Sequence, residues 1–170
     1  MRPITELDSK YLGETLWVIG RGPSLARLTA ADIGPGPVVA INQAINQVEQ
    51  LAIKNPLYSM QKDRYFGRPA RSLVLLHARE SAIGAPENMG NFVFDCEQDF
   101  GFPWNVPSVV VCAGLARRWG CSRVVYLCCD AATHGDTGAY GDQPTYPANY
   151  LVHAPMVRRY ARLPVEYKRL

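Results

Sequence analysis

The chain has 170 residues with 48% hydrophobic and 19% charged residues, so one domain with a substantial core is expected over residues 1–170. Its formal net charge of +3 is too small to point to a nucleic-acid partner, and the five cysteines are an odd count that argues against a disulfide framework. No apolar stretch is long enough to span a membrane, and Met1 to Glu6 contain no secretion signal core, so a cytoplasmic protein is expected.

In chain order, residues 15–20 read as a buried strand and residues 24–31 as a short helix. Val38, Val39, Ala40, Ile41 and Asn42 form a second strand, set off by Gly34, Pro35, Gly36 and Pro37, and a helix covers residues 44–52. Further strands are expected at residues 57–60, 72–76, 91–94 and 123–128, with helices at 108–119 and 150–162. Apolar runs alternating with helical patterns indicate an α/β domain of three layers, with a mainly parallel sheet of roughly five to seven strands and strand 15–20 at its centre. Cys112, Cys128 and Cys129 lie in apolar runs and read as core. Arg158, Arg159, Arg162, Lys168 and Arg169 read as a solvated helix face and tail.

In parallel sheets, ligands bind beyond the carboxyl ends of the strands. That rule selects four segments: 20–24, 42–43, 61–63 and 130–142. Strand 15–20 runs into Gly20, Arg21, Gly22, Pro23 and Ser24. Glycines allow close backbone approach, Pro23 suits a first helical turn, and a helix start would offer amides and a positive dipole end to a phosphate. The loop lacks the Lys-Ser/Thr of a P-loop and the third glycine of the dinucleotide fingerprint, and a tight turn that binds nothing is the alternative. Asn42 and Gln43 could bond a base or ribose or cap the following helix; capping is preferred for Gln43 and ligand contact for Asn42. Asp63 could hold a metal or a sugar hydroxyl, or pair with Lys62 or Arg64 at the surface. The 130–142 segment holds Asp130, His134, Asp136, Tyr140 and Asp142. Asp130 at a strand end could take a ribose or a hydrated Mg²⁺, with Asp136 as a further metal candidate, and His134 could be a general base. His77 and His153 read as structural.

The ordered set Gly20-Arg21-Gly22-Pro23-Ser24-Leu25, Val39-Ala40-Ile41-Asn42 and Ser108…Ala113…Ala116…Gly120-Cys121…Val124…Leu127…Asp130 resembles two related groups. One is the bacterial sialyltransferases whose nucleotide loop reads Gly-Asn-Gly-Pro-Ser. The other is the 6-hydroxymethylpterin diphosphokinase-like family of Rossmann proteins. The segment from Asp130 through His134 to Tyr140, Gly141 and Asp142 looks like the loop of that family's small phage-encoded members, which would place the protein in a host cytoplasm. The resemblance runs from about Leu16 to Asp142. It implies that Gly20, Gly22 and Ser24 approach a nucleotide's phosphates or ribose, that Asn42 helps to hold it, and that Asp130 lies near the reacting centre. Arg21 stands where the sialyltransferase loop has asparagine; a guanidinium grips phosphate bidentately but is not an amide contacting a ribose. The full enzymes carry an additional lid that is not expected here, so either an oligomer closes the site or turnover has been lost.

Three readings follow. The leading one is a nucleotide-dependent transferase of glycosyltransferase type, with a nucleotide-sugar donor on residues 20–24 and His134 or a late aspartate as base. The second is Mg²⁺-ATP diphosphate transfer to a pterin-like alcohol. The third is a Rossmann-like module that binds a nucleotide or a partner without turnover. Mg²⁺, at Asp130 or Asp136, is the one cofactor that these readings admit.

Overall fold

A computed structural model describes residues 2–62, 69–78, 91–129, 153–168 and 170. Its strands are β1 (Arg2–Pro3), β2 (Thr15–Ile19), β3 (Val38–Ile41), β4 (Leu57–Gln61), β5 (Leu73–His77), β6 (Phe92–Phe94), β7 (Arg123–Leu127) and β8 (Val165–Lys168). The helices are α1 (Ala44–Gln50), α2 (Cys96–Phe100), α3 (Ser108–Arg118) and α4 (Ala154–Ala161). All eight strands form one sheet in the order β1-β6-β5-β4-β3-β2-β7-β8, and every pair is parallel. This is the expected α/β, Rossmann-like architecture, with β2 interior as expected.

The β2 sequence explains its central place. Leu16 and Val18 face one side and Trp17 and Ile19 the other, because successive strand side chains alternate. Both faces are therefore apolar, as a strand covered on both sides requires. On the first side lies α3, buried continuously from Ser108 to Ala116 between the sheet and α4. Gly114 admits Phe102, since a Cβ there would stand 2.7 Å from its ring. On the second side α1 and the turn after β2 bring Leu25, Ala44, Ile45 and Val48 against Trp17, Val38, Ala40 and Leu127. Gly36 enters β3 at φ +116°, where a Cβ would meet the Thr15 carbonyl at 2.1 Å, so only glycine fits.

The outer strands exceed the expected count. β1 is a two-residue strand beside β6, and β8 pairs with β7 through Val124–Val165 to Leu127–Lys168. The helix expected at 24–31 is instead two 3₁₀ turns, Pro23–Arg27 and Ala30–Asp32. Leu28, extended at φ −60° and ψ 130°, stops the first turn, and the Thr29 amide and hydroxyl both donate to the Asp32 carboxylate at 2.9 and 2.7 Å, starting the second. α2 was not expected; Asp95 caps it by accepting from the amides of Glu97 and Gln98, and Gly101 closes it at φ +70°.

From β2 onward the strand order contains one reversal. From β2 the chain steps outward through β3, β4, β5 and β6, then α3 returns it to β7 on the other side of β2. The carboxyl ends of β2 and β7 thus flank the topological switch point, where open α/β sheets form a crevice. The described helices include none long and apolar enough to cross a membrane. All five cysteines are free and buried.

Candidate functional site

The exits of β2 and β7 are bound together. The Gly20 amide donates to the Leu127 carbonyl at 2.9 Å, and the Gly22 amide to the Cys128 carbonyl at 2.7 Å. The approach is close enough to dictate residue 20: a Cβ there would stand 2.6 Å from the Cys128 carbonyl oxygen and 2.6 Å from Cys129 Sγ. Gly20 is therefore required by the β7 exit, whatever the loop binds. Gly22 has φ −63° and ψ 166°, a conformation open to any residue, and it is buried. Pro23 opens the 3₁₀ turn, as its fixed φ favours, and Ser24 is buried behind it. Because that turn is only five residues long, a helix dipole contributes little here, and any anion contact falls to the loop's own amides and side chains.

The exit of β3 approaches the same loop. Arg21 Nη1 donates to Gln43 Oε1 at 2.7 Å, tying the two strand ends. Gln43 occupies the N-cap position of α1 in αR conformation, but its side chain caps no amide. Asn42 turns the chain at φ +53°, a left-handed conformation that asparagine tolerates better than most residues. Its amide donates to the Met60 carbonyl at 2.9 Å. Its Oδ1 is buried and has no hydrogen-bond partner among the described residues. A buried acceptor without a donor costs about 1–3 kcal/mol, which a ligand hydroxyl or amine would relieve. Across β2, Cys128 also has a left-handed backbone, at φ +55°. Two non-glycine residues in this sparsely populated region thus flank the 20–24 loop, one at each neighbouring strand end.

Further along the same edge, β4 ends in Gln61 and Lys62, and β5 in His77. All three are almost wholly buried, unusual for a lysine even when partnered. The Gln61 amide donates to Ser59 Oγ at 3.1 Å. His77 stands edge-on to Phe94, and its Nε2 accepts from the Cys96 amide at 3.4 Å, in keeping with a structural role. Sequence reasoning treated Lys62 only as an ion-pair partner for Asp63; its position directly after a buried strand was the signal that it lies inside the edge. His153 opens α4 half-buried, and that burial holds its pKa below the ordinary histidine value. Arg158, Arg159, Arg162 and Lys168 are exposed, as a solvated face requires.

Gly20, Arg21, Gly22, Pro23, Ser24 and Asn42 are therefore brought together. Asp63, Asp130, His134, Asp136, Tyr140 and Asp142 lie outside the described residues. Among the described residues no group of three or more His, Cys, Asp or Glu side chains could hold a metal. Comparison with known proteins finds no protein-family model that matches the chain and no matching curated protein.

Proposed function

We propose that the protein is a nucleotide-dependent transferase of glycosyltransferase type, binding a nucleotide-sugar donor at the β2/β7 switch point. The observation that carries this reading is the convergence of the 20–24 loop with Asn42 Oδ1, a buried acceptor lacking a donor among the described residues. A ribose or base offers such donors, and Arg21 offers a guanidinium to a phosphate. In this reading the donor's phosphates rest on Gly22, Arg21 and Ser24. Glycosyl transfer then breaks the sugar–phosphate bond and forms a bond from the acceptor oxygen to the anomeric carbon. The nucleotide leaves as its phosphate, and His134 or Asp130 takes the acceptor proton.

The test is a thermal-shift screen of CMP, UDP, their sugar conjugates and ATP, each with Mg²⁺ and with EDTA. Stabilisation by a pyrimidine nucleotide in EDTA is expected, because a ligand that binds only the folded state raises the midpoint by mass action. Stabilisation by ATP alone, and only with Mg²⁺, would replace glycosyl transfer with diphosphate transfer. No response to any nucleotide would remove the proposal.

A further inference from the structure

We propose that the β8 edge of the sheet is a self-association surface, where two copies of the chain pair as antiparallel strands about a two-fold axis at Tyr167. The two ends of the sheet are built differently. At one end β1 is only two residues long and includes Pro3, which has no N–H to donate, so that edge offers little to a further strand. At the other end β8 is four residues long and contains no proline.

The orientation of the β8 backbone follows from its pairing with β7. The strands are parallel with Val124 opposite Val165, and the Val124 amide donates to the Pro164 carbonyl at 3.0 Å. Successive residues of a strand turn their backbone groups to opposite sides. Pro164, Glu166 and Lys168 therefore face β7, and the N–H and C=O of Val165 and Tyr167 point away from it. No described residue bonds to those outward groups. The edge is also well fixed: Val165 and Tyr167 pack against the core, and the Tyr167 ring stacks on Tyr126 with centroids 5.0 Å apart and planes 16° apart.

A fixed, unpaired edge accepts an extended segment by strand addition. Charge selects a second copy as that segment and sets its register. With the axis at Tyr167, the two Tyr167 residues bond reciprocally through their amides and carbonyls. Glu166 of each copy then stands directly opposite Lys168 of the other, and both are exposed. Opposite charges facing each other across antiparallel strands attract, and like charges repel. An axis at Glu166 would set the two glutamates face to face, and an axis at Val165 would set Glu166 against Pro164. Asp32, which also acts on Lys168 through its charge, is held by the amide and hydroxyl of Thr29. The contact is short, so the dimer is weak and concentration-dependent, as small interfaces are. This inference is independent of the nucleotide reading, which concerns the exits of β2, β3 and β7.

The test is sedimentation velocity and ¹⁵N NMR of the full chain over a range of concentrations. A dimer that grows with concentration is expected, with amide shifts gathered at Val165 to Lys168 and slower solvent exchange of the Tyr167 amide. Glu166→Lys sets lysine opposite lysine at an exposed position and should weaken the dimer by roughly tenfold or more, since two attractive pairs become repulsive. Glu166→Lys/Lys168→Glu makes the facing charges opposite again and should restore it. A monomer at every concentration, a dimer whose shifts fall elsewhere, a dimer indifferent to Glu166→Lys, or no recovery in the double variant would overturn the proposal.

Discussion

The Gly22 amide donates to the Cys128 carbonyl at 2.7 Å, locking the exit of the central strand to the exit of the strand that returns to it. Together with the Gly20–Leu127 bond at 2.9 Å, it fixes the two strand exits side by side. It also separates two glycines that look equivalent in sequence. Gly20 is confined by Cys128 and Cys129, whereas Gly22 is confined by no unusual backbone angle.

Gly20→Ala is accordingly expected to destabilise the fold. Its added methyl meets backbone and a buried sulfur at 2.6 Å, neither of which can withdraw cheaply. Overpacking of this kind costs about 1–3 kcal/mol, readable as a lower urea midpoint. An unchanged midpoint would mean that the two strand exits separate easily.

Arg21→Lys should weaken nucleotide affinity while leaving stability nearly unchanged. The guanidinium reaches Gln43 through Nη1, and its planar fork matches a phosphate in a way that an ammonium does not. Gln43→Ala should have a smaller effect of the same sign, because it removes one tie that positions Arg21 without removing its charge. Calorimetry on the three proteins checks the order; equal affinities would assign Arg21 to packing.

Stability should fall in alkali. Burial raises the pKa of Tyr11, Tyr58, Tyr126 and Tyr167, the last to about 12, and also that of Cys121, to about 12. These acids stay protonated in the folded chain while the unfolded chain ionises first. The folded state then binds more protons, and unfolding free energy declines as pH rises above the ordinary thiol and phenol values, near 9 and 10. Each group contributes a slope of up to about 1.4 kcal/mol per pH unit in that window. Urea midpoints measured from pH 7 to 11 should be level at first and then drop; a flat profile to pH 11 would contradict the burial of these hydroxyls.

Much of this was legible in the sequence. β2, β3, β5 and β7 carry near-continuous apolar runs because each is covered on both faces, β4 differs by its buried Ser59 and Gln61, and the order of these runs implied a parallel sheet. β8 was not legible: Val165 and Tyr167 alternate with exposed Glu166 and Lys168 over only four residues, and the pairing comes from β7. The Thr29–Asp32 pair was written in the residues yet broke a helix that periodicity alone would join. The carboxyl-edge rule selected residues 20–24 and 42–43, which follow β2 and β3, and the Arg21–Gln43 bond shows that these two strand ends adjoin. The Arg21–Gln43 bond, the left-handed turns at Asn42 and Cys128, and the Tyr11–Tyr58 pair depend on contacts between distant segments, which no local pattern encodes.

His134→Ala tests the assignment of the base. If His134 accepts the acceptor proton, turnover should fall by about 10²–10⁴-fold with donor affinity nearly unchanged, since general-base catalysis acts on the transition state. Undiminished turnover, measured with the donor identified by the nucleotide screen, would move the proton to another group such as Asp130.

The central claim is that the β2 exit is a nucleotide site and not merely a turn. Titration calorimetry of the unmodified chain and of Gly22→Val with CMP and UDP, in EDTA, addresses it most directly. The backbone angles at residue 22 admit a branched side chain, and in the proposed reading its isopropyl group takes the space of the donor phosphate. The account predicts a binding heat in the unmodified chain that disappears in Gly22→Val, under conditions where circular dichroism shows both proteins folded. Binding that survives the substitution, or no binding heat from either protein, would contradict it.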